Sequence, residues 1–84
     1  MKFRDKIIVV TGAGSGLGQA VAVGIAREGG SVLLVDINEE GLLATERAIA
    51  DSGGQAKIMT IDLSTREACQ AVVDAAISQW SRLD

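Results

Sequence analysis

Four glycines near the N-terminus form the part of this sequence best suited to chemistry. They are Gly12, Gly14, Gly16 and Gly18, in the run TGAGSGLG that follows four consecutive apolar residues. The apolar run predicts a strand, the glycines predict a tight turn, and the apolar residues at helical spacing that follow them predict a helix. The first turn of such a helix offers free backbone N–H groups and the positive end of the helix dipole. The pattern therefore predicts an anion site that suits a pyrophosphate.

The spacing of the glycines distinguishes between the known phosphate-binding motifs. A P-loop has a lysine directly after its last glycine, and no lysine follows here. The common Gly-x-Gly-x-x-Gly fingerprint also fails, because Leu17 stands where the third glycine would be when counting starts at Gly12. The pattern that fits is Thr-Gly-x-x-x-Gly-x-Gly, from Thr11 to Gly18. A glycine-rich turn that only permits close strand–helix packing remains the alternative.

An acidic residue stands at the distance expected for a contact with the sugar of a bound nucleotide. Asp36 lies 18 residues after Gly18, at the predicted end of the second strand. The acid that binds an adenosine ribose is expected about 20 residues after the glycines. A carboxylate accepts from both ribose hydroxyls and repels a 2′-phosphate, and neither Ser15 nor Ile37 adds a positive charge. Asp36 therefore predicts NAD rather than NADP, and the alternative is a solvated charge at a strand end.

The elements that must position these residues alternate between strand and helix. Predicted strands cover residues 6–11, 31–37 and 56–62, and predicted helices cover 16–28 and 39–51. A third helix, behind a capping box from Ser64 to Glu67, extends to Trp80. Short right-handed connections make the sheet parallel. The predicted fold class is α/β, the N-terminal β-α-β-α-β-α half of a Rossmann-type doubly wound parallel sheet with strand order 3-2-1.

The motif, with an acid in register behind it, resembles the short-chain dehydrogenase/reductase family over the whole chain. The resemblance implies a cofactor-binding role for Gly12, Ser15, Gly16, Leu17, Gly18, Asp36, Ile37, Asp62 and Leu63. In that family the backbone N–H at the Leu17 position meets the pyrophosphate, and an acid at the Asp62 position contacts adenine. For Asp62 the alternative is a charge beside a helix N-terminus.

The residues that this family uses for proton transfer are missing from the sequence. By resemblance these are a serine and a Tyr-x-x-x-Lys pair, and the sequence contains no tyrosine at all. Its last residues, QWSRLD, resemble the segment before the family's fourth strand, after which the serine and the pair would come, so we expect these 84 residues to be inactive alone. We therefore expect no catalytic residue here, and we expect residues 1–84 to be the NAD-binding half of a Rossmann domain. The resemblance implies a parent chain about three times longer, which interconverts a hydroxyl and a carbonyl with NAD(H).

Two other functions share some of these features. A methyltransferase that binds S-adenosylmethionine also has a glycine loop and a ribose-binding acid, but it usually carries an acid shortly before the first glycine, where Val9, Val10 and Thr11 stand here. A non-catalytic nucleotide-binding module is the other alternative. Titration with NADH and with S-adenosylmethionine would separate the methyltransferase from the dehydrogenase. Strong NAD binding without turnover in the full-length protein would favour the non-catalytic module.

Composition limits the possible partners and compartments. The net charge is −3 and no basic cluster occurs, so nucleic-acid binding has no support. No apolar run approaches the length of a membrane span. We expect Cys69 to be packed and inert, and we expect no metal site. We also expect a cytoplasmic location, because a single cysteine forms no internal disulfide. By resemblance, the parent binds a small alcohol or carbonyl compound and is a homo-oligomer.

Overall fold

The computed structural model describes residues 4–62 and 64–80. The strands are β1 (Ile7–Thr11), β2 (Ser31–Asp36) and β3 (Gln55–Thr60), and the helices are α1 (Gly16–Arg27), α2 (Glu39–Asp51) and α3 (Arg66–Trp80). The predicted alternation is confirmed, and every predicted boundary lies within two residues of the observed one.

The three strands form one parallel sheet with β2 in the centre. The order is β1-β2-β3, which is the predicted order read from the opposite edge. Val9 pairs with Leu33, and Leu33 pairs with Lys57 on the other side. All four residues from Val32 to Val35 are buried, because helices cover both faces of the central strand. The predicted position of β3 at an edge is confirmed for the described residues.

Side chains that alternate along β2 enter two separate cores. Val32 and Leu34 pack with residues of α1 and α2 on one face. Leu33 and Val35 pack with Val72 and Ala76 of α3 on the other face. The alternation follows from the pleat of the strand, which points successive side chains to opposite faces. The carboxyl ends of the strands are therefore held between two helical layers.

The buried side of α1 differs from the one that helical spacing predicts. Leu17, Val21 and Ile25 share one side of the helix, but Leu17 is 81% exposed and Val21 is 44% exposed. Ala22 and Ala26 are the buried residues of α1. Small side chains let the helix axis approach the sheet closely, which improves packing. A pattern of large apolar residues does not reveal this effect, so it predicted the wrong side.

The residue that caps α3 lies one position after the predicted cap, Ser64. The Ala68 amide donates to Thr65 Oγ1 at 3.1 Å, and the Cys69 amide donates to the Thr65 carbonyl at 3.2 Å. Thr65 therefore caps the helix in place of Ser64. Cys69 is exposed, so the prediction that its side chain is packed is wrong. Within residues 4–62 and 64–80, no helix has the length and apolar character needed to cross a membrane.

Candidate functional site

The glycine loop connects the carboxyl end of β1 to the first turn of α1. Gly12 has φ +67°, a left-handed conformation that residues with a side chain rarely adopt. A Cβ at Gly12 would meet no atom within 4 Å, so the backbone conformation, not lack of space, requires glycine there. A Cβ at Gly18 would instead overlap the Gly12 carbonyl oxygen. Gly18 therefore allows the start of α1 to fold against the loop.

The first turn of α1 has free backbone donors. Ser15 occupies the N-cap position in an extended conformation, but its side chain makes no capping hydrogen bond. The first helical bond runs from the Gln19 amide to the Ser15 carbonyl at 3.0 Å. The amides of Gly16, Leu17 and Gly18 precede that bond and have no acceptor in the part of the chain that the structure describes. These three N–H groups can therefore donate to a bound anion.

In each of the other two helices, a side chain caps one amide of the first turn and acidic residues add negative charge there. In α2, Asn38 Oδ1 accepts from the Gly41 amide at 3.2 Å, and Glu39 and Glu40 add negative charge to the first turn. In α3, Thr65 Oγ1 accepts from the Ala68 amide, and Glu67 adds negative charge to the first turn. No acid stands in the first turn of α1. Both the hydrogen-bond donors and the dipole of α1 are therefore available to an anionic ligand.

Backbone amides hold the Asp36 carboxylate at the end of β2. Oδ1 accepts from the Ile37 amide at 2.7 Å and from the Asn38 amide at 3.2 Å. Oδ2 accepts from the Gly14 amide at 2.8 Å. The Asn38 and Gly14 amides, helped by that of Ile37 and opposed by partial desolvation, lower the pKa of Asp36 below its ordinary value. Asp36 is therefore a fixed anion, and Oδ2 keeps a lone pair free for a further donor.

A cleft lies beside this carboxylate, at the carboxyl ends of the strands. Its volume is about 220 Å³, and its walls are formed by Gly12, Val35, Asp36, Ile37, Ile61 and Asp62. The Ile61 amide donates to the Asp36 carbonyl at 3.0 Å, which keeps the chain beyond β3 next to the end of β2. In an open parallel sheet, this edge is where ligands bind.

Most of the predicted site residues lie around this cleft or at the start of α1. Asp62 is exposed, two residues beyond the end of β3, and its Oδ1 accepts from the Ser64 amide at 2.9 Å. The prediction that Asp62 ends the strand is therefore wrong, although it still lines the cleft. Ile37 is 70% exposed at the cleft wall. Leu63, the remaining predicted residue, lies outside the described residues.

Two side chains that hold the loop were not predicted as part of the site. Gln19 Nε2 and Asn38 Nδ2 donate to the Gly14 carbonyl at 3.3 Å and 3.4 Å. The sequence identifies Asn38 as a helix cap, but it contains no signal for this second contact, which spans 24 residues. Among the described residues, no group of three or more His, Cys, Asp or Glu side chains could hold a metal ion.

Comparison with known proteins gives a consistent match over the whole chain. The family model for short chain dehydrogenase matches residues 6–84. Levodione reductase of Leifsonia aquatica is 38% identical over 85 residues, covering 99% of this chain and 32% of the relative. A 3beta-hydroxysteroid dehydrogenase of Mediterraneibacter gnavus is 39% identical over 83 residues, covering 99% of this chain and 30% of the relative.

Solved structures agree with these sequence matches. The crystal structure of levodione reductase superposes with a TM-score of 0.92 at 36% identity, covering 98% of this chain and 33% of that one. NAD⁺-bound xylitol dehydrogenase superposes with a TM-score of 0.94 at 33% identity, covering 100% and 32%. The chain thus spans about a third of the length of the relatives it matches. With the motif, the fold and these matches in agreement, the chain belongs to the short-chain dehydrogenase family.

Proposed function

We propose that this chain binds the adenosine and pyrophosphate portion of NAD(H) for an oxidoreductase that interconverts a hydroxyl and a carbonyl group. The observation that supports this most is the open first turn of α1. Its three free amides stand at the same edge of the sheet as the fixed Asp36 carboxylate. A pyrophosphate on the amides and a ribose beside the carboxylate match the chemistry of both groups.

The open space beside the glycine loop supports this proposal. No side chain stands over Gly12 or Gly16, and a Cβ at either position would have only open space within 4 Å. The cleft of about 220 Å³ continues from Gly12 past Asp36 to Ile37 and Asp62. In our proposal it receives the adenosine, with apolar walls from Ile37 and Ile61. Leu63 would contribute its backbone N–H to the adenine ring.

The preference for NAD over NADP rests on Asp36. Its lowered pKa keeps it negative at neutral pH, and its free Oδ2 lone pair suits a ribose hydroxyl. A 2′-phosphate on the same ribose would bring two like charges into contact, which is unfavourable. The bound dinucleotide in xylitol dehydrogenase is NAD⁺, which supports the proposal by similarity.

Family membership excludes the methyltransferase hypothesis. The non-catalytic module remains the alternative, because the proton-transfer residues of the family are not among these 84 residues. We propose that they belong to a further part of a longer protein, a cytoplasmic homo-oligomer that acts on a small alcohol or carbonyl compound. Turnover of NADH by the full-length protein with a carbonyl substrate would favour the enzyme over the module.

Titration of the full-length protein with NADH and NADPH tests the cofactor assignment. We expect tighter binding of NADH, and we expect Asp36→Ala to raise the NADH Kd by about tenfold or more, since charge-assisted hydrogen bonds to the ribose are lost. Asp51→Ala, at the exposed end of α2, removes the same charge away from the cleft and serves as the control. Unchanged NADH binding by Asp36→Ala, or a wild-type preference for NADPH, would contradict the assignment.

A further inference from the structure

Thr45 is a buried polar residue that the predicted site does not include. It lies on α2 and is 2% exposed, and no other polar or charged side chain of the described residues is as buried. A hydroxyl removed from water is unfavourable unless it makes a hydrogen bond. The position of its partner therefore indicates what this hydroxyl does.

Two carbonyl oxygens lie within reach of Thr45 Oγ1, which has one proton to donate. The Ala13 carbonyl is 2.7 Å away and the Gly41 carbonyl is 3.0 Å away. The Gly41 oxygen faces the Thr45 amide one helical turn later and also accepts from Gln19 Nε2 at 3.2 Å. The Ala13 oxygen has no other donor within residues 4–62 and 64–80. The Thr45 proton therefore belongs to Ala13.

This bond completes the attachment of a fully buried loop residue. The Ala13 amide donates to the Val35 carbonyl of β2 at 3.2 Å, and the Ala13 carbonyl accepts from Thr45 of α2. Both backbone polar groups of Ala13 are thus held, one by the sheet and one by a helix. The next residue, Gly14, is tied through its amide to Asp36. The loop cannot shift toward solvent without breaking these bonds.

The geometry points to Thr45 as a positioning residue for the dinucleotide. Through Ala13, its hydroxyl fixes the glycine loop and the free amides of Gly16, Leu17 and Gly18 that follow it. Thr45 itself is buried beneath the loop and does not reach the cleft. This inference rests on the proposed function, because it concerns the affinity for NAD(H).

Substitutions that separate the hydroxyl from the methyl group test the inference. Thr45→Val keeps the shape and removes the donor, which leaves the buried Ala13 carbonyl unpaired. Thr45→Ser keeps the donor and removes the methyl group. Ser52→Ala is the control at the C-cap of α2, because Ser52 Oγ donates to the Ile49 carbonyl at 2.8 Å, at the end of the helix opposite the loop.

The measurement is the NADH Kd of the full-length protein, by fluorescence titration. We expect Thr45→Val to raise the NADH Kd by up to about tenfold, because the unpaired Ala13 carbonyl lets the loop leave its position and NADH binding must then restore it, at a cost comparable to one lost hydrogen bond. Thr45→Ser and Ser52→Ala should stay within about twofold of the wild type. If Thr45→Val folds too poorly to titrate, Thr45→Ala replaces it. Thr45→Ala and Thr45→Ser both lose the methyl group and differ by the hydroxyl alone.

The outcomes separate the inference from the function beneath it. A wild type that does not bind NADH overturns the proposed function, and the inference falls with it. A wild type that binds NADH, with Thr45→Val or Thr45→Ala equal to Thr45→Ser, overturns only the role of Thr45. Loss of affinity without the hydroxyl and rescue by Thr45→Ser would support the inference.

Discussion

Replacing Gly41 by alanine tests how α2 holds the glycine loop. Gly41 is in the first turn of α2, and a Cβ there would overlap the Gly14 carbonyl oxygen and lie 2.7 Å from the Gly14 carbonyl carbon. It would also lie 2.7 Å from Asn38 Nδ2. Non-bonded carbon atoms prefer a separation of about 3.5–4.0 Å. The loop and the helix would therefore have to separate by at least about 1 Å.

The expected magnitude follows from two opposing effects. Alanine in place of glycine favours a helix by about 1 kcal/mol. Forcing a carbon atom into a filled contact costs about 1–3 kcal/mol, and here the obstacle is backbone, which yields less than a side chain. We therefore expect Gly41→Ala to lower the free energy of unfolding by up to about 2 kcal/mol.

Gly24→Ala provides a control in which only the first effect operates. Gly24 is exposed in the middle of α1, and a Cβ there would meet no atom within 4 Å. The same substitution should therefore raise the free energy of unfolding by about 1 kcal/mol. Both variants replace a glycine by alanine, but the predicted changes in the free energy of unfolding have opposite signs.

Denaturant unfolding and NADH titration of the full-length protein are the assays. We expect the unfolding midpoint to fall for Gly41→Ala and to rise for Gly24→Ala. We also expect Gly41→Ala alone to weaken NADH binding, because it displaces Gly14 and with it the Asp36 contact. If both variants are stabilised and both bind NADH as the wild type does, α2 does not position the loop and the reasoning is refuted.

Two further predictions concern the Asp36 carboxylate. A Cβ at Gly14 would lie 2.8 Å from Asp36 Oδ2 and 2.9 Å from the Asn38 carbonyl oxygen. Gly14→Ala should therefore displace the Asp36 carboxylate and reduce the preference for NADH over NADPH. An unchanged ratio of the two Kd values would contradict this prediction. The pKa of Asp36 is lower in the folded state than in the unfolded state, where it is about 4. The charged carboxylate therefore stabilises the folded state fully above about pH 4, and this stabilisation is lost as the pH falls through the pKa of the folded state. The stability difference between wild type and Asp36→Asn, measured by unfolding, should therefore be constant near neutral pH and shrink only below about pH 4; a decline that begins near neutrality would contradict the assignment.

Local signals in the sequence predict the order of elements well. The apolar run of β2 is bounded by Gly29-Gly30 before it and Asn38 after it, and its predicted bounds are correct to one residue. Helical spacing predicts that Leu42, Thr45, Ile49 and Ser52 share the apolar side of α2. The first three are buried, and Ser52, just beyond the helix, is exposed. These features depend on residues close together in the chain, so periodicity and turn chemistry are sufficient to find them.

Contacts between distant residues explain what the sequence could not predict. Thr45 meets Ala13 across 32 positions, and Gln19 meets Gly41 across 22. No local pattern indicates which hydroxyl or amide reaches which carbonyl, because the answer depends on how α2 packs against the loop. The cap of α3 is a smaller case. Glu67 at the capping-box spacing favours Ser64 in the sequence, whereas the structure uses the hydroxyl of Thr65.

The three amides on Asp36 also bear on redesign of the site. Under the proposed function, the direct way to admit a 2′-phosphate is to exchange Asp36 for a small neutral residue. In this protein that exchange would leave the Gly14 amide without its acceptor. An engineer who wants the altered specificity must therefore install a substitute acceptor in the same step, for example a side-chain oxygen long enough to reach the loop. Under the proposed function, recognition of the sugar and the position of the loop depend on the same carboxylate and cannot be changed independently.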